Sequence, residues 1–134
     1  MLSHNRYTFL DRSAEPLFRS AADRGLGVLN AAPYGGGMLS KGPSVQQKYA
    51  YGSRDDRIRK AAEAMEGACR RYDVPLAAAA LQFSLRSELI DSTVVGVSSP
   101  QRITQTLELA AVAIPDDLWS ELEQATPPQE LWLD

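Results

Sequence analysis

Apolar positions along the chain follow two rhythms, helical spacing and short unbroken runs. "SAEPLFRSAADRG" (Ser13–Gly25) carries Leu17, Phe18, Ala21 and Ala22 at helical spacing. Ser13 is placed to cap this helix, Glu15 lies near its positive end, and Gly25 stands where a terminating glycine is favoured. "DDRIRKAAEAMEGACRRYD" opens with two acids and closes with two arginines, as a helix dipole prefers. Ile58, Met65, Cys69 and Tyr72 share a face there with Ala61 and Ala62. Pro75 starts another helix in "PLAAAALQFSLRS". Ser99 and Pro100 predict the N-cap and first residue of a helix over "SSPQRITQTLELAAV". "IPDDLWSELEQA" reads as a last helix with Leu118, Trp119 and Leu122 inward, and "TPPQELWLD" as irregular.

Three runs read as strands: "LSHNRYT" (Leu2–Thr8), "LGVLNAA" (Leu26–Ala32) and "IDSTVVGV" (Ile90–Val97). The second lacks strict alternation, which predicts a parallel strand covered on both faces; the third reads as buried. The order is βα, βαα, βα and a final helix, the pattern of a parallel α/β sheet with crossover helices. Three strands alone leave two open edges, which invite pairing with another chain.

Two segments at strand ends carry candidate chemistry. "NAAPYGGGMLSKGP" (Asn30–Pro43) opens a long loop that runs to about Arg54. Its glycines permit positive φ and close backbone approach to a ligand, or simply make a flexible turn. It is neither a P-loop, since Gly42 follows Lys41 where Ser or Thr is needed, nor G-x-G-x-x-G. "GVSSPQRITQT" (Gly96–Thr106) leaves the third strand and opens a helix. First-turn N–H groups there favour an anion, and Arg102 adds a charge-assisted contact to phosphate. The plainer alternative makes Ser99 an N-cap and Arg102 a solvated side chain.

Composition narrows the setting. The 134 residues fit one domain, 44% are hydrophobic and 23% charged, and the net charge is −3. No basic block points to nucleic acid, and no apolar run reaches the roughly 18 residues of a membrane span. A single cysteine, Cys69, cannot form an internal disulfide, and "MLSHNRYTFLDRS" lacks a signal-peptide core, so the expectation is a cytoplasmic protein. Cys69 reads as a core thiol.

"GVLNAAPYGGGMLSKGP" together with "ALQFSLRSELIDSTVVGVSSPQRITQTLE" resembles the C-terminal part of an aldo-keto reductase. The likeness is to the bacterial branch that resembles aldose, galactose or fucose 1-dehydrogenases, and it covers nearly the whole chain. It implies a partial (β/α)8 TIM barrel, with residues 1–134 supplying about strands six to eight and their helices. The resemblance implies an oxidoreductase that uses NADP, or NAD, on aldehydes, ketones or aldoses. The glycine loop would lie against the cofactor pyrophosphate, which brings in Pro33, Gly35 and Gly37. Ala31 falls where many members carry the tyrosine that stacks on nicotinamide, and Tyr34 is nearby but out of register. Gly96, Ser98 and Ser99 fall in the phosphate turn, and the family's frequent lysine near Gly96 is missing. Arg102 falls on the arginine that meets the 2′-phosphate, and Gln105 and Thr106 fall on the Glu-Asn pair that meets adenine. His4 falls near the glutamine that holds the carboxamide, or is a plain surface residue; Asn5 and Asn30 are further polar residues at strand ends.

The family's Asp, Tyr, Lys and His tetrad lies on early barrel strands, before the resemblance begins. His4 is not at the tetrad position, and Tyr7, Tyr34, Tyr49, Tyr51 and Tyr72 lack the matching lysine and aspartate, so no residue here is expected to be catalytic. Two expectations follow. The chain is the cofactor-binding C-terminal part of such an enzyme, or it is a non-catalytic binding or assembly module derived from one. Self-association or pairing with an N-terminal half-barrel would satisfy the open edges.

Overall fold

A computed structural model describes residues 1–50 and 55–133. Tyr51 and the end of the glycine loop at Arg54 lie outside the described residues. The elements in order are β1 (Leu2–His4), α1 (Glu15–Asp23), β2 (Leu29–Ala31), α2 (Met38–Lys41), α3 (Asp56–Arg71), α4 (Leu76–Leu85), β3 (Ser92–Val94), α5 (Pro100–Ala111) and α6 (Asp116–Gln124). A 3-10 turn at Gln129–Leu131 closes the tail, which is thus not wholly irregular, and Leu131 is buried.

The sheet is parallel in the order β1-β2-β3, as the alternation of elements implied. Leu2, Leu29 and Ser92 stand in one row, and His4, Ala31 and Val94 in the next row on the same face. Ser3, Asn30 and Thr93 form the row on the opposite face, toward the helices. Only that second face is covered. Leu2, Leu29 and Val94 are 58%, 38% and 43% exposed, which corrects the expectation of a strand covered on both sides and of a buried third strand. The apolar runs of the sequence are genuine strand interiors, but on this side Leu2, Leu29 and Val94 stay open and only Ala31 is buried.

All three strands are shorter than their apolar runs. β1 stops at His4 because Asn5 takes a left-handed φ of 60°, a conformation that asparagine tolerates better than most residues. The chain then dives into the helical layer, where Tyr7, Phe9 and Leu10 are buried. Ser13 is not the cap of α1. Ala14 holds that position, and the Ser13 hydroxyl donates to Asp11 Oδ1 at 2.6 Å instead. Leu17 is exposed, so the buried stripe of α1 is Phe18 and Ala21 alone. Gly25 ends the helix with φ 68°, as its position predicts.

The core lies between α3, α4 and α6. Ile58, Ala62, Met65 and Cys69 of α3 meet Leu118 and Leu122 of α6, and Ala78–Ala80 of α4 complete the cluster. Burying a large apolar side chain of this kind stabilises by about 1.5–3 kcal/mol. Asp55 caps α3 by accepting from the Arg57 N–H at 2.8 Å. α5 has no buried residue, and Ile103 and Leu107 are among its exposed apolar side chains.

The glycine loop has its own packing logic. A Cβ on Gly35 would lie 2.3 Å from the Tyr49 ring, and a Cβ on Gly36 would lie 2.5 Å from the Ala50 carbonyl oxygen. Both glycines also have positive φ, 58° and 69°. Close backbone approach is therefore required here, and the approaching group is the returning part of the same loop.

Two measurements test this packing. Gly35→Ala should lower the unfolding free energy by about 2–5 kcal/mol, from left-handed strain plus overpacking. In a Tyr49→Ala background the same change should cost about 1–2 kcal/mol, leaving the strain alone. Strict additivity in urea titrations would refute the contact. Burial pushes the Cys69 thiol up to about 11 from its ordinary 9.0. A folded-state value above the unfolded one contributes stability below pH 9 that is lost as pH rises toward 11. Cys69 should therefore be silent to a disulfide reagent at pH 8 in the folded chain and react after denaturation. Rapid labelling of the folded chain would contradict its core position.

Candidate functional site at the carboxyl ends of the strands

The two loops singled out in the sequence meet in space. A groove of about 280 Å³ is lined by Tyr34 and Ser40 from the β2 exit and by Val95, Gly96 and Val97 from the β3 exit. Arg102, Gln105, Thr106 and Leu109 of α5 form its second wall, with Ala77 of α4 behind. The elements hold it firmly. Gln82 of α4 donates to the carbonyls of Leu109 and Val112 at 2.9 and 2.8 Å, which fixes the far end of α5. Ser99 is the N-cap and Pro100 the first residue of α5, as the sequence predicted.

The electrostatics of the groove suit an anion. The Arg102 guanidinium is exposed and makes no ion pair among the described residues. By contrast Arg12, Arg19, Arg57, Arg59, Arg70 and Arg71 each meet a carboxylate. The Ser99 side chain makes no capping bond; Pro100 has no N–H and the Arg102 N–H donates to the Ser99 carbonyl at 3.1 Å, so the Gln101 N–H is the first-turn donor left without a side-chain acceptor. Gln105 presents an amide with both donor and acceptor. The Thr106 hydroxyl donates to the Arg102 carbonyl at 2.7 Å, so it keeps only its acceptor capacity for a ligand. Tyr34 is half-buried, and burial pushes its phenol above the ordinary range, so it remains neutral.

Tyr34, Gly96, Arg102, Gln105 and Thr106 thus share one groove. Pro33, Gly35 and Gly37 lie in the turn behind Tyr34, with Gly37 as the left-handed cap of α2. Ser98 and Ser99 lie at the start of α5 and do not line the groove. Ala31 ends β2 in the same row as His4 and Val94. Asn30 faces the opposite way, buried against α4, where its amide donates to the Tyr7 carbonyl and the Ser84 hydroxyl. Asn5 is buried at the end of β1; its Nδ2 lies 3.0 Å from His4 Nδ1, and its Oδ1 has no partner among the described residues. Ser40 and Ala77 were not foreseen. Ser40 reaches the groove because residues 38–41 coil into α2, a four-residue helix too short for periodicity to reveal.

These features fit a dinucleotide: the Arg102 guanidinium, without an ion pair among the described residues, for a phosphate, and the Gln105 amide for a base edge. Among the described residues no group of three His, Cys, Asp or Glu could hold a metal ion, and no helix is long and apolar enough to cross a membrane. A larger cleft of about 390 Å³ is lined by Tyr7, Phe9, Phe83, Arg86 and Trp119, among others. It takes in none of the residues singled out for binding. Arg86 already lies over its Trp119 ring at 4.1 Å.

Comparison with known proteins agrees with the resemblance. The family model described as "Aldo/keto reductase family" matches residues 1–127. The chain is 38% identical over 122 residues to a D-threo-aldose 1-dehydrogenase of a Pseudomonas species, which covers 90% of this chain and 37% of that protein. It is 36% identical over 118 residues to a pyridoxal 4-dehydrogenase of Microbacterium luteolum, covering 87% and 34%. The chain therefore spans little more than a third of the length of these curated relatives. Among solved structures, the holo form of the aldo-keto reductase AKR11C1 from Bacillus halodurans superposes with a TM-score of 0.72 at 21% identity, over 95% of this chain and 43% of that one. Its apo form gives 0.71 over 94% and 43%. The fold agrees with part of that protein, and the family match spans nearly all of this sequence. The chain belongs to the aldo/keto reductase family.

Proposed function

We propose that residues 1–134 are the C-terminal, cofactor-holding part of an NAD(P)(H)-dependent aldo-keto reductase, an oxidoreductase of aldehydes, ketones or aldoses. The observation that carries this reading is the groove in which Tyr34 from one strand exit meets Gly96, Arg102, Gln105 and Thr106 from the next. In parallel α/β folds ligands bind at the carboxyl ends of strands. The three strands read as about strands six to eight of a (β/α)8 barrel, and the open face with Leu2, Leu29 and Val94 reads as its inner wall. The names of the relatives favour a sugar or other small carbonyl substrate, and the single buried thiol suits a cytoplasmic setting.

The bound dinucleotide would supply hydride chemistry. This chain's own residues bind and orient. Arg102 holds the 2′-phosphate, which favours NADP over NAD, and Gln105 meets adenine. The start of α5 with Ser98 and Ser99, and the turn with Pro33, Gly35 and Gly37, lie along the phosphates. Ala31 lies on the nicotinamide side, with Asn5 and His4 near the carboxamide, and Tyr34 stands in the groove across from Arg102 and Gln105. The acid–base residues that move the substrate proton would come from the remainder of the barrel, so no residue of this chain is assigned a catalytic role.

NADPH fluorescence titration of the purified chain tests the reading. Saturable binding is expected. Arg102→Ala should weaken NADPH by about 10–100-fold, the size of a charge-assisted contact, and leave NADH nearly unchanged. A folded chain that binds neither nucleotide would defeat the claim that this part holds the cofactor.

A second reading, a non-catalytic assembly module derived from such an enzyme, is favoured by the exposed Leu2, Leu29, Val94, Ile103 and Leu107 and by the outer edges of β1 and β3. It predicts a stable oligomer in sedimentation velocity that Leu107→Ser loosens. A monodisperse monomer at tens of micromolar would exclude it.

A further inference from the structure

Tyr49 sits in the long connection between β2 and α3, and its side chain is among the most completely buried of the chain. Among the described residues its phenol bonds to the segment that leaves β1. The hydroxyl donates to the Asn5 carbonyl at 3.1 Å and lies 2.8 Å from Thr8 Oγ1. A phenol has one proton, so with that proton on Asn5 the Thr8 hydroxyl must donate to Tyr49. Thr8 Oγ1 in turn accepts from the Leu10 N–H at 3.1 Å. All the donors and acceptors of this relay are buried, which strengthens each bond relative to water.

The Tyr49 ring meanwhile packs on Gly35, so closely that any Cβ there would collide with it. The next residue, Ala50, donates its N–H to the Gly35 carbonyl at 3.1 Å. One side chain therefore grips both strand exits. Both exits are strained. Asn5 follows β1 with φ 60°, and Ala32 follows β2 with φ 58°. Left-handed non-glycine residues persist only where their surroundings over-determine them, and they concentrate at functional sites. Asn5 donates its N–H to the Ala31 carbonyl at 3.3 Å, so the two strained exits are also coupled directly.

We infer that Tyr49 is a positioning residue: its ring and hydroxyl latch the Gly35 turn to the Asn5 carbonyl, and so hold Ala31 and the ends of β1 and β2 in place for the nicotinamide side of the cofactor. This rests on the cofactor reading above. The adenine side takes its charged and amide groups from α5, which Gln82 holds, and shares with the latched turn only Tyr34 and Ser40 on the facing wall.

Tyr49→Phe keeps the ring and removes both hydroxyl bonds. Amide exchange of Asn5, Gly35 and Ala50 should accelerate by about tenfold or more, with α3 and α4 amides unchanged. NADPH should bind about tenfold more weakly, while adenosine 2′,5′-bisphosphate, which lacks nicotinamide, should weaken by no more than about twofold. Thr8→Val removes one partner of the same hydroxyl; it should shift both readouts in the same direction, and it decides the matter if Tyr49→Phe fails to fold. Unchanged exchange would overturn the latch. Equal weakening of both ligands would overturn the positioning role and leave Tyr49 a general packing residue. If the parent chain binds neither ligand, the cofactor reading fails and the positioning role falls with it, while the exchange data still report whether the two exits are tied.

Discussion

Asn30 occupies the centre of the middle strand with its side chain turned into the helical layer, fully buried. Its amide donates to the Tyr7 carbonyl at 3.0 Å and to the Ser84 hydroxyl at 2.9 Å, and Ser84 Oγ lies 2.6 Å from Thr93 Oγ1. One polar side chain thus connects β2 to the segment after β1, to α4 and to β3. An apolar residue of similar size would leave the Tyr7 carbonyl to find another partner, at about 1–3 kcal/mol if it stays buried and unsatisfied, while the Ser84 hydroxyl would keep Thr93 alone. The network sets how α4 lies on the sheet. α4 carries Gln82, Gln82 fixes α5, and α5 forms the wall of the groove. The position of Arg102 therefore traces back to a hydrogen bond in the middle strand.

The sheet is finished on one side only. Helices cover the row of Ser3, Asn30 and Thr93, while the row of Leu2 and Leu29 stays open. The same holds for α5, whose inward contacts are to α4 and whose Ile103 and Leu107 face outward. These surfaces belong to different elements, but each exposes large apolar side chains. A parallel sheet is ordinarily covered on both faces. The sequence carries the composition of that arrangement, and the missing cover is what makes the barrel reading physically economical.

The helices were legible because their signals are local. Asp55 and Asp56 open α3, Ser99 and Pro100 open α5, and Gly25 ends α1, and in each case the chemistry lies within one turn of the boundary. The errors came where a distant partner decides. Ser13 fits a cap by type, but Asp11 claims its hydroxyl. Leu17 fits the apolar stripe of α1 by spacing, yet the layer it faces is absent. The third strand reads as buried by composition, and composition does not say how many faces are covered. In the candidate site, the residues of α5 and Tyr34 were legible from the strand-end rule and the family likeness together. Ser40 and Ala77 were not, because their position depends on how α2 and α4 pack. Asn30 was placed near the site for its polarity at a strand end, and the parity of the strand turned it inward.

The triple glycine shows how one motif can answer to two constraints. Gly35 and Gly36 are required by Tyr49 and Ala50, which approach too closely for any Cβ. Gly37 is different. With φ 96° it caps α2 in the left-handed region, and the nearest atoms to an added Cβ are 3.8 Å away. Packing therefore forbids side chains at the first two positions, and backbone conformation alone disfavours one at the third. The two constraints cooperate. The tightly packed pair anchors the turn to the buried side of the loop, and the capping glycine aims α2 so that Ser40 reaches the groove. A glycine run at a strand end is then not by itself a sign of ligand contact. Here it makes a rigid rim that sets Tyr34 on one wall of the groove, and the polar groups of the other wall, Arg102 and Gln105, come from α5.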